Sequence, residues 1–314
     1  MGMRRNLKGM RMLITGASQG IGRALAVAAA RRGLRVLAAA RSDELLAELA
    51  GEVRAFGGTL ATVHADVTEA ADRLRMVEAS RQYFGGLDLL VNNAGIGATG
   101  HFAEGAAERL RKIMEVNFFG LTETTRVFLP VLKLGNWPAV VNISSIAGKR
   151  GIPARSDYSA SKFAVQGFSE ALRAELAKDG IDVVVICPGL TQTNFSKNML
   201  EQKARMAMDH MRGMTAEQVA EATLDALARG KTEVCLTFQG KMMVLVSRLL
   251  PRLADRIAAK RVRELFRDEI EARQRGVLPP AAVTAPAAAP AAPAAPVVPG
   301  PAAAALADQE ATAR

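Results

Sequence analysis

The feature that most constrains the fold of this chain is a regular alternation of short apolar runs with longer helical patterns. The runs are rich in Val, Ile, Leu and Ala and span residues 10–15, 34–39, 60–65, 87–92, 139–144, 181–187 and 233–236. Helical patterns lie between them at residues 21–32, 42–56, 69–84, 104–132 and 157–179. Alternation at this spacing is typical of βαβ units, which build a parallel sheet covered by helices on both faces. We therefore predict a single α/β domain with a doubly wound parallel sheet of about seven strands.

The C-terminal part of the chain has a different composition. Residues 238–276 predict a basic, amphipathic helical extension. Residues 277–314 are nearly all Ala, Pro and Val, and repeated prolines remove helical hydrogen bonds while few large side chains offset the entropy of ordering. We therefore divide the chain into an α/β domain at 8–237, a helical extension at 238–276 and a disordered tail at 277–314.

The charge distribution argues against a nucleic-acid-binding protein. The formal net charge is +10, but ten basic and five acidic residues at 240–276 account for half of it. The remaining positive charge is spread thinly and has no interleaved aromatic residues, which single-stranded nucleic acids would need for stacking. We expect no nucleic-acid partner.

Histidine and cysteine positions predict no metal site. His64, His101 and His210 are scattered and form no ligand pair. Cys187 and Cys235 have neither the number of a disulfide framework nor the spacing of a metal site, and we interpret them as small apolar core residues.

Nothing in the sequence predicts export. The N-terminal stretch lacks the uninterrupted apolar core of a signal peptide, and no run of about 18 apolar residues predicts a membrane span. The low cysteine content fits a reducing compartment. We predict a cytoplasmic protein and leave association with a membrane surface open.

A glycine-rich turn follows the first predicted strand. In "TGASQGIG", Gly16, Gly20 and Gly22 surround Ser18, Gln19 and Ile21 where the strand meets the first helical pattern. Glycines at such a turn let main-chain N–H groups approach a phosphate at the positive end of the helix. The turn therefore predicts a nucleotide site, although glycine turns also occur for packing reasons.

The residue after the second predicted strand bears on which dinucleotide binds. A carboxylate there would accept hydrogen bonds from the ribose 2′-hydroxyl of NAD, but this chain has Ala40 followed by Arg41. A guanidinium suits a 2′-phosphate, so we predict NADP(H) in preference to NAD(H).

Tyr158 and Lys162, in "SDYSASK", lie four residues apart in a helical pattern. Positions i and i+4 share one face of a helix, which brings the ammonium near the phenol. A close cation favours phenolate and would lower the tyrosine pKa towards neutrality, as suits a general acid or base. Ser145, after the fifth predicted strand, can hydrogen-bond a substrate oxygen as charge develops on it.

Taken in order, "TGASQGIG", "NNAG", Ser145, "YSASK" and "PGLTQT" resemble the short-chain dehydrogenase/reductase family over residues 8 to 237. The resemblance implies a single-domain Rossmann fold, a nicotinamide cofactor and hydride transfer between that cofactor and a carbonyl or alcohol. It implies that Tyr158 is the acid/base, Ser145 the anchor of the substrate oxygen, Lys162 the ligand of the nicotinamide ribose, and Asn117 the support of a water-linked proton relay.

The same resemblance implies further cofactor contacts. They are the glycine turn with Ser18, Gln19 and Ile21; Asp66 and Val67 at the adenine; Asn93, Ala94 and Gly95 beside the cofactor; and Pro188, Gly189, Thr191 and Thr193 in the nicotinamide–phosphate loop. Family members that prefer NADP often carry Lys or Arg where this chain has Gln19, which leaves the NADP prediction dependent on Arg41. A noncatalytic cofactor sensor or scaffold on the same fold is the alternative, but such proteins typically lose the tyrosine or the lysine.

The substrate segment is expected to follow Thr193. Its methionines suggest a pliable apolar lid over a lipophilic carbonyl substrate, although a methionine-rich helix is also typical of simple packing. They lie at positions 199, 206, 208, 211 and 214.

Residues 241–267 predict an amphipathic surface. Leu245, Leu249, Leu253 and Ile257 recur every four residues, and Arg248, Arg252, Arg256 and Lys260 follow the same spacing beside them. Pro251 predicts a kink or the start of a second helix. The surface fits peripheral contact with an anionic membrane, or packing on the chain's own domain or on a second subunit of the expected homo-oligomer.

Overall fold

The computed structural model describes residues 5–195, 198–203 and 213–275. Seven parallel strands form one sheet in the order β3-β2-β1-β4-β5-β6-β9. Its strands are β1 (Arg11–Thr15), β2 (Arg35–Ala40), β3 (Thr59–His64), β4 (Leu89–Asn92), β5 (Ala139–Ile143), β6 (Asp182–Cys187) and β9 (Glu233–Cys235). The predicted seven-stranded parallel sheet is confirmed.

The described residues form ten α-helices, six of which pack their apolar side chains on the two faces of the sheet. The ten helices are α1 (Gly20–Arg31), α2 (Asp43–Ala55), α3 (Ala70–Phe84), α4 (Ala107–Met114), α5 (Gly120–Leu132), α6 (Ser156–Leu176), α7 (Ala216–Ala228), α8 (Phe238–Leu249), α9 (Pro251–Leu265) and α10 (Arg267–Gln274). All contacts discussed below lie within the compact unit that ends at Glu271.

Two apolar cores, one on each face, hold the helices to the sheet. One contains side chains of α1, α2 and α7, such as Leu25, Leu49 and Leu224. The other contains side chains of α3, α5 and α6, such as Met76, Phe128 and Leu172. Because successive strand residues point to opposite faces, each strand supplies both cores, which explains its continuous apolar sequence.

The strand order reverses at β1, which pairs with β2 on one side and β4 on the other. In open α/β sheets such a reversal leaves a crevice at the carboxyl ends of the strands. Two small elements lie beyond this edge: β7 (Thr191–Gln192) pairs with β8 (Met214–Thr215), and Thr99 bridges Gln202. The expected ligand-binding edge is therefore bordered by the segment that follows β6.

The predicted helix at 104–132 is not continuous. A π-helical turn at Glu115–Phe119 separates α4 from α5. Single π-helical turns inside helices are frequent at functional sites, and this one carries Asn117.

The predicted C-terminal helical region is present. Pro251 starts α9 and does not kink one long helix, because proline is compatible with the first helical turn. The boundary predicted at 237 stays a prediction, and the tail predicted at 277–314 lies outside the described residues. Within 5–195, 198–203 and 213–275, no helix has both the length and the apolar character that crossing a bilayer requires.

Candidate active site at the carboxyl edge of the sheet

The glycine turn packs closely on the loop after β4. Gly16 has a φ of 64°, in the left-handed region that favours glycine. A Cβ on Gly22 would lie 2.3 Å from the Gly16 carbonyl oxygen, and one on Gly16 would lie 2.8 Å from Ala94 Cα. Asn93 Nδ2 donates to the carbonyl oxygens of Thr15 and Gly16 at 2.9 and 3.1 Å. The Asn93 side chain thus holds the turn, and the turn has no room for larger residues.

The start of α1 fits an anionic ligand. Gln19 caps the helix without a side-chain hydrogen bond, and the first turn of α1 has no acidic residue. By contrast, the Ser42 side chain caps α2, and Asp43 and Glu44 stand in the first turn of that helix. The first N–H groups of α1 are therefore left to meet a negative group from outside the helix, such as a diphosphate.

The segment that follows β7 contacts the start of α1 at two points. Asn198 Nδ2 donates to Gln19 Oε1 at 3.1 Å, and a Cβ on Gly20 would lie 3.5 Å from the Thr193 side chain. Ser18 lies in the turn and Ile21 in the first turn of α1. The expected diphosphate turn and the expected nicotinamide loop are therefore neighbours.

Arg41 and Asp66 face each other beyond β2 and β3. Their side chains form an ion pair at 3.4 Å, and the Arg41 side chain is 70% exposed. Burial raises the pKa of the Asp66 carboxyl, but hydrogen bonds from Thr68 together with Arg41 outweigh it and hold that pKa below its usual range. Val67 is buried against Gly120. The guanidinium is thus held by one long contact and remains open to solvent.

Asn117 is completely buried and joins two parts of the site. Its Oδ1 accepts from Ile96 N at 2.8 Å, and its Nδ2 donates to Ile96 O at 2.9 Å and to Ser161 Oγ at 3.0 Å. A Cβ on Gly95 would lie 3.2 Å from Asn117 Oδ1 and 3.7 Å from Lys162 Nζ. The amide therefore fixes the loop after β4 against α6, beside Lys162.

Tyr158, Lys162 and Ser145 come together where β5 ends and α6 begins. Lys162 Nζ donates to the Ile143 carbonyl oxygen at 2.9 Å and lies 5.8 Å from the centroid of the Tyr158 ring. Ser145 Oγ accepts from Ala147 N at 3.1 Å, and the Ser145 side chain acts on the Tyr158 phenol so as to oppose the rise in the pKa of that phenol. The structure thus brings these three predicted residues together with Asn117, while Arg41 and Asp66 lie further along the same edge, beyond β2 and β3.

The pKa shift of Tyr158 and its cause differ from the prediction, which was a lowering by Lys162. Burial raises the pKa of the Tyr158 phenol, opposed by the Ser145 side chain and by the charge of Arg155, and not by Lys162. Burial also lowers the pKa of Lys162 to about 8, with the nearby Cys187 thiol opposing. The reason is that both groups are desolvated, and for each of them burial disfavours the charged form.

Sequence reasoning missed two neighbours of Tyr158. The Phe195 ring lies 5.8 Å from the Tyr158 ring and covers Gly97, where a Cβ would lie 2.8 Å from the phenylalanine. Arg155 caps α6 after Ala154, whose φ is 59°, and burial lowers the pKa of its guanidinium. Arg155 stands three positions before Tyr158 in the sequence, and this helical spacing could have indicated the contact. No local pattern indicates Phe195.

A buried ion-pair cluster supports the start of α6. Arg109 Nε donates to Asp157 Oδ2 at 2.5 Å, and its Nη1 contacts Glu201 Oε2 at 3.0 Å. The Arg109 and Asp157 side chains are 4% and 6% exposed. No sequence pattern predicts this cluster, which connects α4, the residue before Tyr158 and the segment after β6.

The loop after β6 folds back on the end of β5. Ile146 N donates to the Pro188 carbonyl oxygen at 2.9 Å, and Thr191 Oγ1 donates to the Gly189 carbonyl oxygen at 3.2 Å. A Cβ on Gly189 would lie 2.8 Å from Thr237 Oγ1. The predicted nicotinamide–phosphate loop thus lies against the residues that follow Ser145.

One cluster in the described residues has ligand types that could hold a metal. Atoms of Cys187, Glu233 and Cys235 lie within 4.8 Å of one another. Glu233 Oε2, however, accepts from Lys149 Nζ and Gln166 Nε2, each at 2.6 Å. A cation there would meet the Lys149 ammonium, so the donor set does not favour a metal, and the absence of a metal stays a prediction.

Comparisons with known proteins agree on one group of enzymes. A family model described as short chain dehydrogenase matches residues 10–204. The chain is 35% identical over 262 residues to dehydrogenase/reductase SDR family member 7B of Mus musculus, covering 81% of each chain. Residues 10–204 contain the glycine turn, Ser145, Tyr158 and Lys162.

Two solved structures are similar to the chain. A short chain dehydrogenase/reductase from Burkholderia phymatum in complex with NAD has a TM-score of 0.73 and 26% identity, covering 79% of this chain and 96% of that one. A short chain dehydrogenase from Burkholderia cenocepacia J2315 in complex with NADP has a TM-score of 0.70 and 27% identity, covering 81% of this chain and 99% of that one.

Proposed function

The chain belongs to the short-chain dehydrogenase family, a Rossmann-fold family of nicotinamide-dependent oxidoreductases, and from this premise we propose that it uses NADP(H) with Tyr158 as general acid and base. The substrate is a lipophilic compound with a carbonyl or alcohol group. The observation that carries the proposal is the meeting of Tyr158, Ser145 and Lys162 beside the glycine turn and the uncapped start of α1.

A nicotinamide cofactor held at the glycine turn and Lys162 would supply or accept the hydride, and the residues of the chain transfer the proton. The Tyr158 phenol donates its proton to the substrate oxygen in reduction and takes it back in oxidation. Ser145, whose side chain acts on that phenol, donates to the same oxygen as charge develops on it. Burial keeps the pKa of Tyr158 high, so the phenol is protonated at neutral pH, which favours carbonyl reduction.

Lys162 and Asn117 hold this arrangement in place. The Lys162 ammonium lies between Gly95 and the Ile143 carbonyl, where it is available to the nicotinamide ribose that the family resemblance implies. Asn117 fixes Ile96 and Ser161 on either side of it. The start of α1 binds the diphosphate through main-chain N–H groups.

The preference for NADP(H) rests on Arg41. Its exposed guanidinium has one long contact with Asp66, and Ala40 offers no carboxylate to repel a 2′-phosphate. Related structures contain NAD in one case and NADP in the other, so the choice depends on local residues such as this one.

The lipophilic substrate is supported by the surroundings of the tyrosine. The Phe195 ring covers Gly97 and stands 5.8 Å from the Tyr158 ring, which gives that side of the reacting hydroxyl an apolar wall. Met199 and Met214 lie in the described part of the segment, whereas positions 206, 208 and 211 of the predicted lid lie outside it.

The same proposal includes contact with an anionic membrane surface through α8 and α9. Leu249 and Ile257, 70% and 58% exposed, form one row with the exposed Leu245 and Leu253, and a contiguous apolar patch is typical of an interaction surface. Exposed cations flank them at Arg248, Arg252, Arg256 and Lys260. An apolar face bordered by cations is complementary to an anionic lipid interface, where a lipophilic substrate is also concentrated. A second copy of the chain, in the expected homo-oligomer, is the competing occupant.

Replacing the phenol tests the catalytic proposal. Tyr158→Phe removes the ionisable hydroxyl and keeps the ring packing, so turnover should fall at least about a hundredfold. The chain's other tyrosine, Tyr83, is exposed and provides the matched control Tyr83→Phe, which should keep full turnover. Turnover is followed by NADPH absorbance with a panel of lipophilic carbonyls. Near-normal turnover of Tyr158→Phe would exclude the proposed role of this tyrosine, whereas no turnover by the native protein with any carbonyl of the panel would favour the sensor or scaffold alternative.

A further inference from the structure

The two cysteines of the chain, 48 positions apart in sequence, are direct neighbours in the sheet. Cys187 ends β6, Cys235 ends β9, and the two residues are paired in register. Their sulfur atoms lie within 4.8 Å of each other. The Cys187 side chain is completely buried, whereas Cys235, on the edge strand, is half-buried. The interpretation of both cysteines as small apolar core residues is therefore wrong for Cys235, which is only half-buried.

We propose that Cys187 and Cys235 form an oxidisable thiol pair, a modification site whose reagent is a small hydroperoxide and whose product is a disulfide between β6 and β9. Neighbouring strands lie about 4.7–4.9 Å apart, within the range of about 4.4–6.8 Å between Cα atoms that disulfides require. Residues in register point to the same face, so the bond needs no change of strand pairing.

The two thiols are not equivalent, which assigns their roles. Interaction with the neighbouring Cys187 thiol lowers the pKa of Cys235 to about 7, and the interaction with Cys235 together with burial raises the pKa of Cys187. Cys235 is also the more accessible thiol. Its thiolate is therefore the nucleophile towards peroxide, and Cys187 is the resolving thiol.

The reaction balances in two steps. The Cys235 thiolate attacks one oxygen of hydrogen peroxide, the O–O bond breaks, and the released hydroxide takes up a proton to leave as water. The product is a sulfenic acid on Cys235. The Cys187 sulfur then attacks the Cys235 sulfur, the S–O bond breaks, and hydroxide leaves as water with the Cys187 proton. Two thiols and one peroxide give one disulfide and two waters.

The bond would lie directly under the cofactor loop. β6 continues from Cys187 into Pro188 and Gly189, and Thr237, two residues after Cys235, is the residue that Gly189 packs against. Joining the two strand ends constrains both sides of this contact. We therefore expect the disulfide to weaken binding of NADPH several-fold, a consequence that rests on the proposed function, whereas formation of the bond does not.

Mass spectrometry of the full-length protein tests the bond itself. After a brief treatment with hydrogen peroxide, the intact protein should lose the mass of two hydrogen atoms. A non-reducing digest should contain one peptide pair that links Cys187 to Cys235, and dithiothreitol should reverse both changes. The variants Cys187→Ser and Cys235→Ser, checked for native melting temperature, should not lose this mass. Cys187→Ser should instead accumulate sulfenic acid, which dimedone traps on Cys235.

Three results would overturn the proposal. In the first, both thiols remain free at peroxide concentrations that oxidise a control thiol of low pKa. In the second, disulfides form only between different chains. In the third, each cysteine is oxidised separately and no bond links the two. NADPH titration of the oxidised and reduced protein tests the consequence separately. An unchanged dissociation constant with the disulfide present would refute the effect on the cofactor loop and leave the thiol pair intact.

Discussion

Lys162 donates a hydrogen bond from its ammonium to the main-chain carbonyl oxygen of Ile143, 2.9 Å away, across the junction between α6 and β5. The lysine side chain is almost fully buried, and burial lowers its pKa to about 8. Its charge is therefore present at neutral pH but is lost within the range in which oxidoreductases are commonly assayed.

This pKa predicts the pH dependence of carbonyl reduction. For the free enzyme, kcat/KM for NADPH should be flat below about pH 8 and should fall above it as Lys162 loses its proton. Lys162→Arg should abolish the fall, if it retains activity, because a guanidinium does not lose its proton in this range. A profile that is unchanged through pH 9 in the native protein would contradict the assignment.

The same group has a calculable effect on stability. The folded lysine releases its proton near pH 8 and the unfolded one near 10.5, so the unfolded state binds more protons between these values. The contribution of Lys162 to the free energy of unfolding therefore rises as pH increases from about 8 to 10.5. Comparing urea unfolding of the native protein and of Lys162→Met over this range isolates that contribution, and parallel pH dependences would argue against a buried ammonium.

Arg41 should determine the choice of cofactor. A charge-assisted contact with a 2′-phosphate contributes about 1.5–3 kcal/mol, so NADPH should bind at least about tenfold more tightly than NADH. Arg41→Ala should remove most of that difference and Arg41→Asp should reverse it. Arg54→Ala, which removes an exposed arginine from the end of α2, is the control for net charge. Tighter binding of NADH by the native protein would refute the proposal.

Breaking the buried pair of Arg109 and Asp157 should destabilise the protein. Asp157→Ala leaves the buried guanidinium with only Glu201, and the free energy of unfolding should fall by about 3 kcal/mol. The exposed pair of Glu123 and Arg126 is the control, since Glu123→Ala should cost less than about 1 kcal/mol. Urea unfolding measures both, and equal losses would show that burial does not distinguish the two pairs.

The α8 and α9 surface should bind anionic vesicles. At low salt the full-length protein should float with vesicles of phosphatidylglycerol and phosphatidylcholine and not with phosphatidylcholine alone. The double variant Leu249→Gln with Ile257→Gln should lose this binding, whereas Leu74→Gln, which alters another exposed leucine, on α3, should keep it.

Two outcomes would contradict the membrane proposal. Protein that stays with the soluble fraction in both vesicle types shows that lipid does not cover the face. A double variant that dissociates an oligomer in light scattering, with no vesicle binding by the native protein, assigns the face to a second copy.

Local patterns were sufficient to predict the sheet, the glycine turn and the closeness of Tyr158 to Lys162. Strand periodicity and the i, i+4 geometry of a helix depend only on nearby residues. The direction of the tyrosine pKa shift was not predictable, because it depends on how deeply the fold buries the phenol. The contact between Phe195 and Tyr158 was not predictable either, because it depends on where the segment after β7 lies relative to the edge of the sheet.

The pairing of Cys187 with Cys235 was unpredictable for the same reason. Their contact requires β6 and β9 to be neighbours in a specific register, and α7 separates the two strands in sequence. The π-helical turn at Asn117 also escaped prediction, since the residues around it read as one uninterrupted helix.

The strand order also determines how the chain can assemble during synthesis. β2 adds to β1 and β3 to β2, after which β4 adds to the opposite edge of β1, β5 to β4, β6 to β5 and β9 to β6. Each later strand of this sheet pairs with an edge strand of the part of the sheet already formed, so no existing strand pair has to separate. Because the ribosome releases the N-terminal segments first, each apolar strand gains a partner soon after it emerges. This order shortens the time for which a bare strand is exposed to other nascent chains.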